Sequence, residues 1–302
     1  MTTPKIGFIG LGNMGGRMSR CIVRGGGEVL GFDTNAAVIE GAGASAASSV
    51  AEVVRECDVV LLSLPDSRVV EAVVLGADGV LANAKSGQVV VDLSTAAPES
   101  TRRIQAQLGE KGAAYLDAGI SGGAAAADVG KLTLMVGGEK DVLDRVQPVL
   151  DYFASNTFYV GGSGAGHTTK LLNNFLNAVS LAATAEVMVA GKKAGLDLAV
   201  LLEVFNKSSG VNFATMNRFP KIITGDYLKG GLTNTLMMKD VVLYTELTSE
   251  LGLASLNSAG PLACFGLANA LGYADEISNT VVDAIGDVSG GVRLFERKDG
   301  TS

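Results

Sequence analysis

The chain has 302 residues, with 24 Lys and Arg against 31 Asp and Glu, a net charge of −7, 47% apolar and 18% charged residues. That balance suits a compact protein of about two domains. It excludes a disordered or collagen-like chain, since 40 glycines accompany only six prolines with no Gly-X-Y period, and it leaves no overall positive field to hold a nucleic-acid backbone.

Cys21, Cys57 and Cys264 are odd in number, far apart and without C-x-x-C or Cys/His spacing. They point to a reducing compartment, small buried thiols and no metal site. The N-terminus lacks a signal-peptide pattern, and the apolar stretch 175–190 is interrupted by Asn177, Ser180, Thr184 and Glu186. A cytoplasmic location with no membrane partner is therefore expected.

From residue 5 to about 160, short apolar runs (6–9, 28–32, 59–62, 89–91, 114–117, 132–136 and 157–160) alternate with helical patterns such as 14–24 and 98–108. Runs without polar alternation suit parallel strands covered on both faces, so the expected class is α/β, a doubly wound parallel sheet. Glycines at 161–166 then end the alternation. Residues 168–194, apolar on most sides and followed by Gly195, predict a long buried helix. Further helices are expected over 197–206, 233–251, 260–271 and 278–285. Expected domains are thus 1–163 and 164–302, the second beginning with an interdomain helix over 164–194; residues 296–302 read as a solvated tail.

Gly10-Leu11-Gly12-Asn13-Met14-Gly15 follows an apolar run and opens a helical pattern, the context that gives G-x-G-x-x-G its meaning. The glycines allow a tight turn, close approach to a pyrophosphate and close helix packing, with the anion at the helix N-terminus. Asp33 ends the second run, about 20 residues on, where a carboxylate accepts hydrogen bonds from ribose hydroxyls. NAD is the expected cofactor and NADP the disfavoured one, because a 2′-phosphate meets the Asp33 charge and no Arg stands in Asp33-Thr34-Asn35-Ala36. The loops 63–66 and 92–95 either line the same crevice or are ordinary capped turns.

Two further glycine-rich segments follow, Asp117-Ala118-Gly119-Ile120-Ser121-Gly122-Gly123 and Gly164-Ala165-Gly166-His167-Thr168-Thr169-Lys170-Leu171-Leu172-Asn173-Asn174. With the first motif, with Asp92-Leu93-Ser94-Thr95 and with Lys239-Asp240, the set resembles the β-hydroxyacid dehydrogenases over essentially the whole chain. That group contains 3-hydroxyisobutyrate dehydrogenase and tartronate semialdehyde reductase and is related to 6-phosphogluconate dehydrogenase. The resemblance implies a Rossmann domain, a long interdomain helix and an all-helical C-terminal domain. It also implies hydride transfer between nicotinamide and a short-chain 3-hydroxy acid or its semialdehyde, without a metal. Lys170 matches the catalytic lysine, Ser121, Gly122 and Gly123 the substrate-carboxylate loop, and Asn174 the helix asparagine that holds substrate. Leu64, Pro65, Thr95 and Lys239 match cofactor contacts.

The residues are compatible with those roles. Lys170 and Asn174 are four apart on a predicted helix and project from one face. A lysine beside a positively charged nicotinamide ring and away from bulk water gives up its proton more readily than one in solvent, which suits acid/base work near neutrality. His167 has no acidic partner nearby in sequence, so packing is favoured over proton transfer. Gly119-Ile120 stand where the family often has Pro-Val, which is expected to loosen one wall of the substrate loop. Asn212, Phe213 and Phe219 shape a pocket or pack in a core, and Lys239-Asp240 is a functional or a solvated pair. Alternatives to the hydroxy-acid reading are an imine-type or other reductase on the same fold, or a non-catalytic cofactor-binding scaffold. The apolar stretch 262–271 points to a homodimer or homotetramer.

Overall fold

The structure is a computed structural model that describes residues 4–228 and 230–295; the expected tail at 296–302 lies outside the described residues. The chain divides into two compact units, 1–170 and 171–302.

Unit 1 is built on one eight-stranded sheet: β1 (Ile6–Ile9), β2 (Val29–Phe32), β3 (Ser45–Ala46), β4 (Val59–Leu62), β5 (Val89–Asp92), β6 (Ala114–Ser121), β7 (Leu132–Gly137) and β8 (Ala154–Gly161). Their spatial order is β3-β2-β1-β4-β5-β6-β7-β8. The central runs carry apolar side chains on both faces. Phe8, Leu61 and Val91 enter one core cluster, and Ile9, Val60, Leu62 and Val90 another, so helices cover the sheet twice. Strand order reverses between β1 and β4, which places the loops leaving their carboxyl ends beside each other at a topological switch point.

The sheet is the expected doubly wound one, parallel throughout except at one pair. β6 and β7 pair antiparallel, Asp117 opposite Gly137 and Ser121 opposite Thr133. β6 runs on to Ser121, leaving ten residues before Leu132, which contain only the short helix Gly123–Asp128. A parallel return needs a crossover of about a dozen residues or more, so the chain folds straight back.

The long helix Ala165–Lys193 begins in unit 1 and continues into unit 2, the remainder of which is almost wholly helical. Leu198–Asn206 starts at Asp197, whose carboxylate accepts from Ala199 and Val200 N–H, and Asn234–Glu250 starts at Thr233. Phe175, Leu181, Phe219, Met237, Val241 and Phe265 form the unit's core. The long helix is not buried all round as expected, because Leu172, Leu176 and Val187 are exposed. Its apolar positions spread wider than the stripe the core covers. The stretch 262–271 instead turns Phe265 and Ala268 inward. Cys21 and Cys57 are buried and Cys264 half-buried, all free thiols. Among the described residues, no helix is long and apolar enough to cross a membrane.

Candidate active site

The β1 turn leads directly into the helix Asn13–Arg24, and its three glycines are required for different reasons. Gly10 has φ +88°, and a Cβ there would lie 2.3 Å from the Ser63 carbonyl oxygen of the neighbouring strand-end loop. A Cβ on Gly15 would lie 1.9 Å from the Gly10 carbonyl oxygen. Gly12 is different, since nothing lies within 4 Å of the position its Cβ would take. Protein packing does not demand glycine there, and the bare backbone is open to a ligand. Gly12 caps the helix without a side-chain hydrogen bond, and the first turn carries no acidic residue. Its first-turn N–H groups and dipole therefore meet no capping side chain or acid of their own turn, which fits a pyrophosphate. Replacing Gly15 by alanine tests this packing. The gain in helix propensity, about 1 kcal/mol, is outweighed by a backbone collision costing about 1–3 kcal/mol or more. A lower thermal midpoint and weaker NADH binding by fluorescence are expected together.

Asp33 follows β2 and is half-buried; its Oδ2 accepts from Leu11 N–H at 2.7 Å and its Oδ1 from Asn35 N–H at 2.8 Å. The carboxylate is thereby clamped beside the glycine turn with lone pairs remaining on each oxygen, which fits a pair of ribose hydroxyls. Asn13 is exposed, its Oδ1 accepting from Arg17 Nε at 3.2 Å, while Met14 packs against the core. Leu64 N–H donates to Ser94 Oγ at 2.9 Å, joining the loops after β4 and β5. Pro65 is exposed and Thr95 half-buried in those same loops.

Lys170 is only 8% exposed. A Cβ on Gly119 of β6 would lie 2.5 Å from the Lys170 Cβ, so the lysine stem occupies the space beside Gly119. The expected loosening of the loop wall at this position is thus corrected: Gly119 is filled by Lys170 and Ile120 packs against the core. Ser121 ends β6, and Gly122 and Gly123, at φ +123° and +66°, form an exposed turn beyond it.

The start of the long helix is set by Asp117, fully buried in β6, whose two carboxylate oxygens accept from Gly164 N–H at 2.9 Å and His167 N–H at 2.8 Å. His167 is also fully buried. Its Nδ1 shares a 2.7 Å hydrogen bond with Thr101 Oγ1, and its Nε2 lies 3.9 Å from Asp92 Oδ2. Nε2 makes no hydrogen bond, and the Asp92 carboxylate of β5 stands beside it across that gap. Asp92 further accepts from Ser94 N–H at 2.9 Å and Tyr115 OH at 2.8 Å. Burial, with Asp92 and Asp117 nearby, holds the Tyr115 hydroxyl well above its ordinary range, so it remains a donor.

In unit 2, Asn174 is 2% exposed and its Nδ2 donates to Asp240, itself 1% exposed. Lys239 Nζ lies 3.2 Å from Asp240 Oδ1. The sequence leaves Lys239-Asp240 as a functional or a solvated pair and gives Asp240 no role of its own, and the structure buries Asp240 against Asn174. The core-like run 236–242 around it is the local signal for that burial. Asn212 caps the helix Phe213–Asn217, Phe213 is exposed and Phe219 is fully buried, so these three divide between cap, surface and core. No group of three or more metal-ligating side chains occurs among the described residues.

Residues 5–161 match the family model of the NAD binding domain of 6-phosphogluconate dehydrogenase. Residues 164–284 match that of the NAD-binding domain of NADP-dependent 3-hydroxyisobutyrate dehydrogenase. The chain is 35% identical over 301 residues to 2-(hydroxymethyl)glutarate dehydrogenase of Eubacterium barkeri, covering 99% of this chain and 97% of the relative. It is 38% identical over 281 residues to the NAD-dependent L-serine dehydrogenase of Pseudomonas aeruginosa, covering 90% and 94%. The structure of 3-hydroxyisobutyrate dehydrogenase from Mycobacterium tuberculosis with L-serine superposes with a TM-score of 0.83 at 31% identity, covering 93% of this chain and 98% of the other. A glycine turn left bare for a dinucleotide and agreement along nearly the whole chain lead to one assignment: the chain belongs to the β-hydroxyacid dehydrogenase family, NAD-binding oxidoreductases that act on CH–OH groups.

Proposed function

We propose that the chain oxidises a short-chain 3-hydroxy acid, or reduces the corresponding semialdehyde, with Lys170 as general acid/base. The observation that carries this reading is a lysine only 8% exposed, one helical turn before Asn174 and packed against the strand that ends in Ser121. Lysines this deeply buried are rare, and a helix spacing of four aims Lys170 and Asn174 at one small molecule. NAD, when bound, supplies the hydride acceptor. Lys170 Nζ takes the hydroxyl proton on oxidation and returns it on reduction, so the CH–OH group loses one hydride and one proton. Ser121, Gly122 and Gly123 hold the substrate carboxylate, and Asp240 fixes the amide of Asn174 by accepting from its Nδ2. Gly10, Leu11, Gly12, Asn13, Met14, Gly15, Leu64, Pro65, Thr95 and Lys239 are assigned to the cofactor. Exposed apolar side chains on unit 2, among them Val200, Val204 and Leu256, support assembly as a homodimer or homotetramer.

NAD is preferred over NADP because Asp33 accepts ribose hydroxyls and repels a 2′-phosphate. Replacing Asp33 by serine removes a charged acceptor worth about 1.5–3 kcal/mol. The ratio of kcat/KM with NAD to that with NADP is expected to fall by roughly 10–100-fold, measured at saturating 3-hydroxy acid. An unchanged ratio would place cofactor selection elsewhere.

A further inference from the structure

Two fully buried acids of unit 1 stand on paired positions of neighbouring strands, Asp92 on β5 opposite Asp117 on β6. Each holds a different part of the unit. Asp92 Oδ1 accepts from Ser94 N–H at 2.9 Å, and Ser94 Oγ in turn accepts from Leu64 N–H at 2.9 Å, so Asp92 shapes both loops assigned to the cofactor. Asp117 accepts from N–H groups at the start of the long helix, which bears Lys170. His167 meets both acids. Its backbone N–H donates to Asp117 Oδ2 at 2.8 Å, and its ring nitrogen Nε2 lies 3.9 Å from Asp92 Oδ2.

The ring hydrogen of His167 follows from the donors around it. Thr101 Oγ1 has one hydrogen and two acceptors within reach, His167 Nδ1 at 2.7 Å and the Ala97 carbonyl oxygen at 3.2 Å. If Thr101 donates to Ala97, Nδ1 must carry the ring hydrogen, and Nε2 then turns a bare lone pair on the Asp92 carboxylate in a site sealed from solvent. If Thr101 donates to the nearer Nδ1, the hydrogen sits on Nε2 and its N–H dipole faces the carboxylate. The second arrangement is favoured, because a poorly screened contact between a dipole and a buried charge changes sign with the tautomer. It also offsets part of the repulsion between the paired acids. At 3.9 Å the contact is too long for a hydrogen bond, so it acts as an electrostatic tether.

We propose that Asp92 is a positioning residue for Lys170: through the Nε2 hydrogen of His167 it ties the cofactor loop after β5 to the helix start that carries the lysine. Lys170 follows His167 by three residues, and its stem packs beside Gly119, two residues beyond Asp117 on β6. A shift of the helix start therefore moves the lysine along that strand. With Asp92 holding the loop on one side and the ring of His167 on the other, a cofactor seated on residues 92–95 meets the lysine in a fixed register. His167 itself exchanges no proton with substrate. The proposal rests on the reading of Lys170 as general acid/base.

His167 is the only histidine in the chain, so NMR of the full chain labelled with ¹⁵N-histidine reads its imidazole alone. The unsubstituted protein is expected to carry the hydrogen on Nε2. A bare Nε2 overturns the proposal, and this arm needs neither a variant nor turnover. In Asp92→Asn the amide oxygen stays with Ser94 N–H and turns its NH₂ group to the ring, so the hydrogen is expected to move to Nδ1. The kinetic arm uses NAD and a 3-hydroxy acid that the chain turns over. His167→Asn keeps a partner for Thr101 but does not reach Asp92, and it is expected to lower kcat about tenfold or more, as misplacement of a reacting group implies, with NADH affinity and KM for the hydroxy acid held. His167→Gln, whose amide extends toward Asp92, should regain part of that loss. Asp92→Asn should lower kcat similarly and weaken NADH binding as well, because the loop loses a charged anchor. A lower thermal midpoint in His167→Asn with kcat unchanged makes the ring a packing element only and overturns the proposal. Turnover that survives Lys170→Ala removes the reading beneath it but leaves the tautomer result untouched, so the two failures are separable.

Discussion

Lys170→Ala is expected to lower kcat/KM about 10²–10⁴-fold, the contribution of a positioned general acid/base. NADH affinity should stay close to that of the unsubstituted protein, because the side chain removed is no part of the glycine turn, while the thermal midpoint should fall only as far as loss of the buried stem beside Gly119 dictates. Lys170→Arg keeps the charge but holds its proton too tightly to exchange it, so it should not restore turnover. Steady-state NADH formation, with NADH fluorescence and thermal unfolding as controls, reads all three. A loss of less than about tenfold would remove Lys170 from proton transfer.

Asp117→Ala is expected to act in the opposite pattern, through the fold first. The carboxylate is fully buried and accepts two backbone N–H groups from the start of the long helix. Deleting it strands both donors, at about 1–3 kcal/mol each, and removes a negative charge from a helix N-terminus, worth roughly 0.3–1 kcal/mol. A destabilisation of about 3 kcal/mol or more is expected in denaturant unfolding. His167 N–H is one of the two donors, and Lys170 follows three residues later. The register of the lysine should loosen with the helix start, so kcat should fall even at temperatures where the variant remains folded. Asp117→Asn keeps the shape but turns an NH₂ group toward one of the two N–H donors, and it should recover only part of the stability.

These two positions also mark where sequence was and was not informative. The dinucleotide turn was legible because its requirements are local: positive φ at Gly10, close packing at Gly15 and bare backbone at Gly12 all belong to one six-residue segment. The long helix and most helices after it were legible from periodicity, with caps such as Asp197 and Thr233 at their starts. The antiparallel return of β7 was not, since it depends on how far β6 extends, and glycine-rich residues 119–123 carry no strand signal. Nor was the buried network of Asp92, Thr101, Asp117 and His167, whose members lie up to 75 residues apart in sequence and meet only through the sheet. The partner of Asp240 was not legible either, because Asn174 lies 66 residues away in sequence and meets it only through the fold.

The most direct test of the account is to supply NAD and a short-chain 3-hydroxy acid deuterated at the carbinol carbon, and to determine by mass spectrometry whether the NADH formed carries the label. The account predicts labelled NADH in step with semialdehyde formation, both suppressed in Lys170→Ala. NADH that binds but is never formed from any 3-hydroxy acid, or that forms without the label, would contradict it.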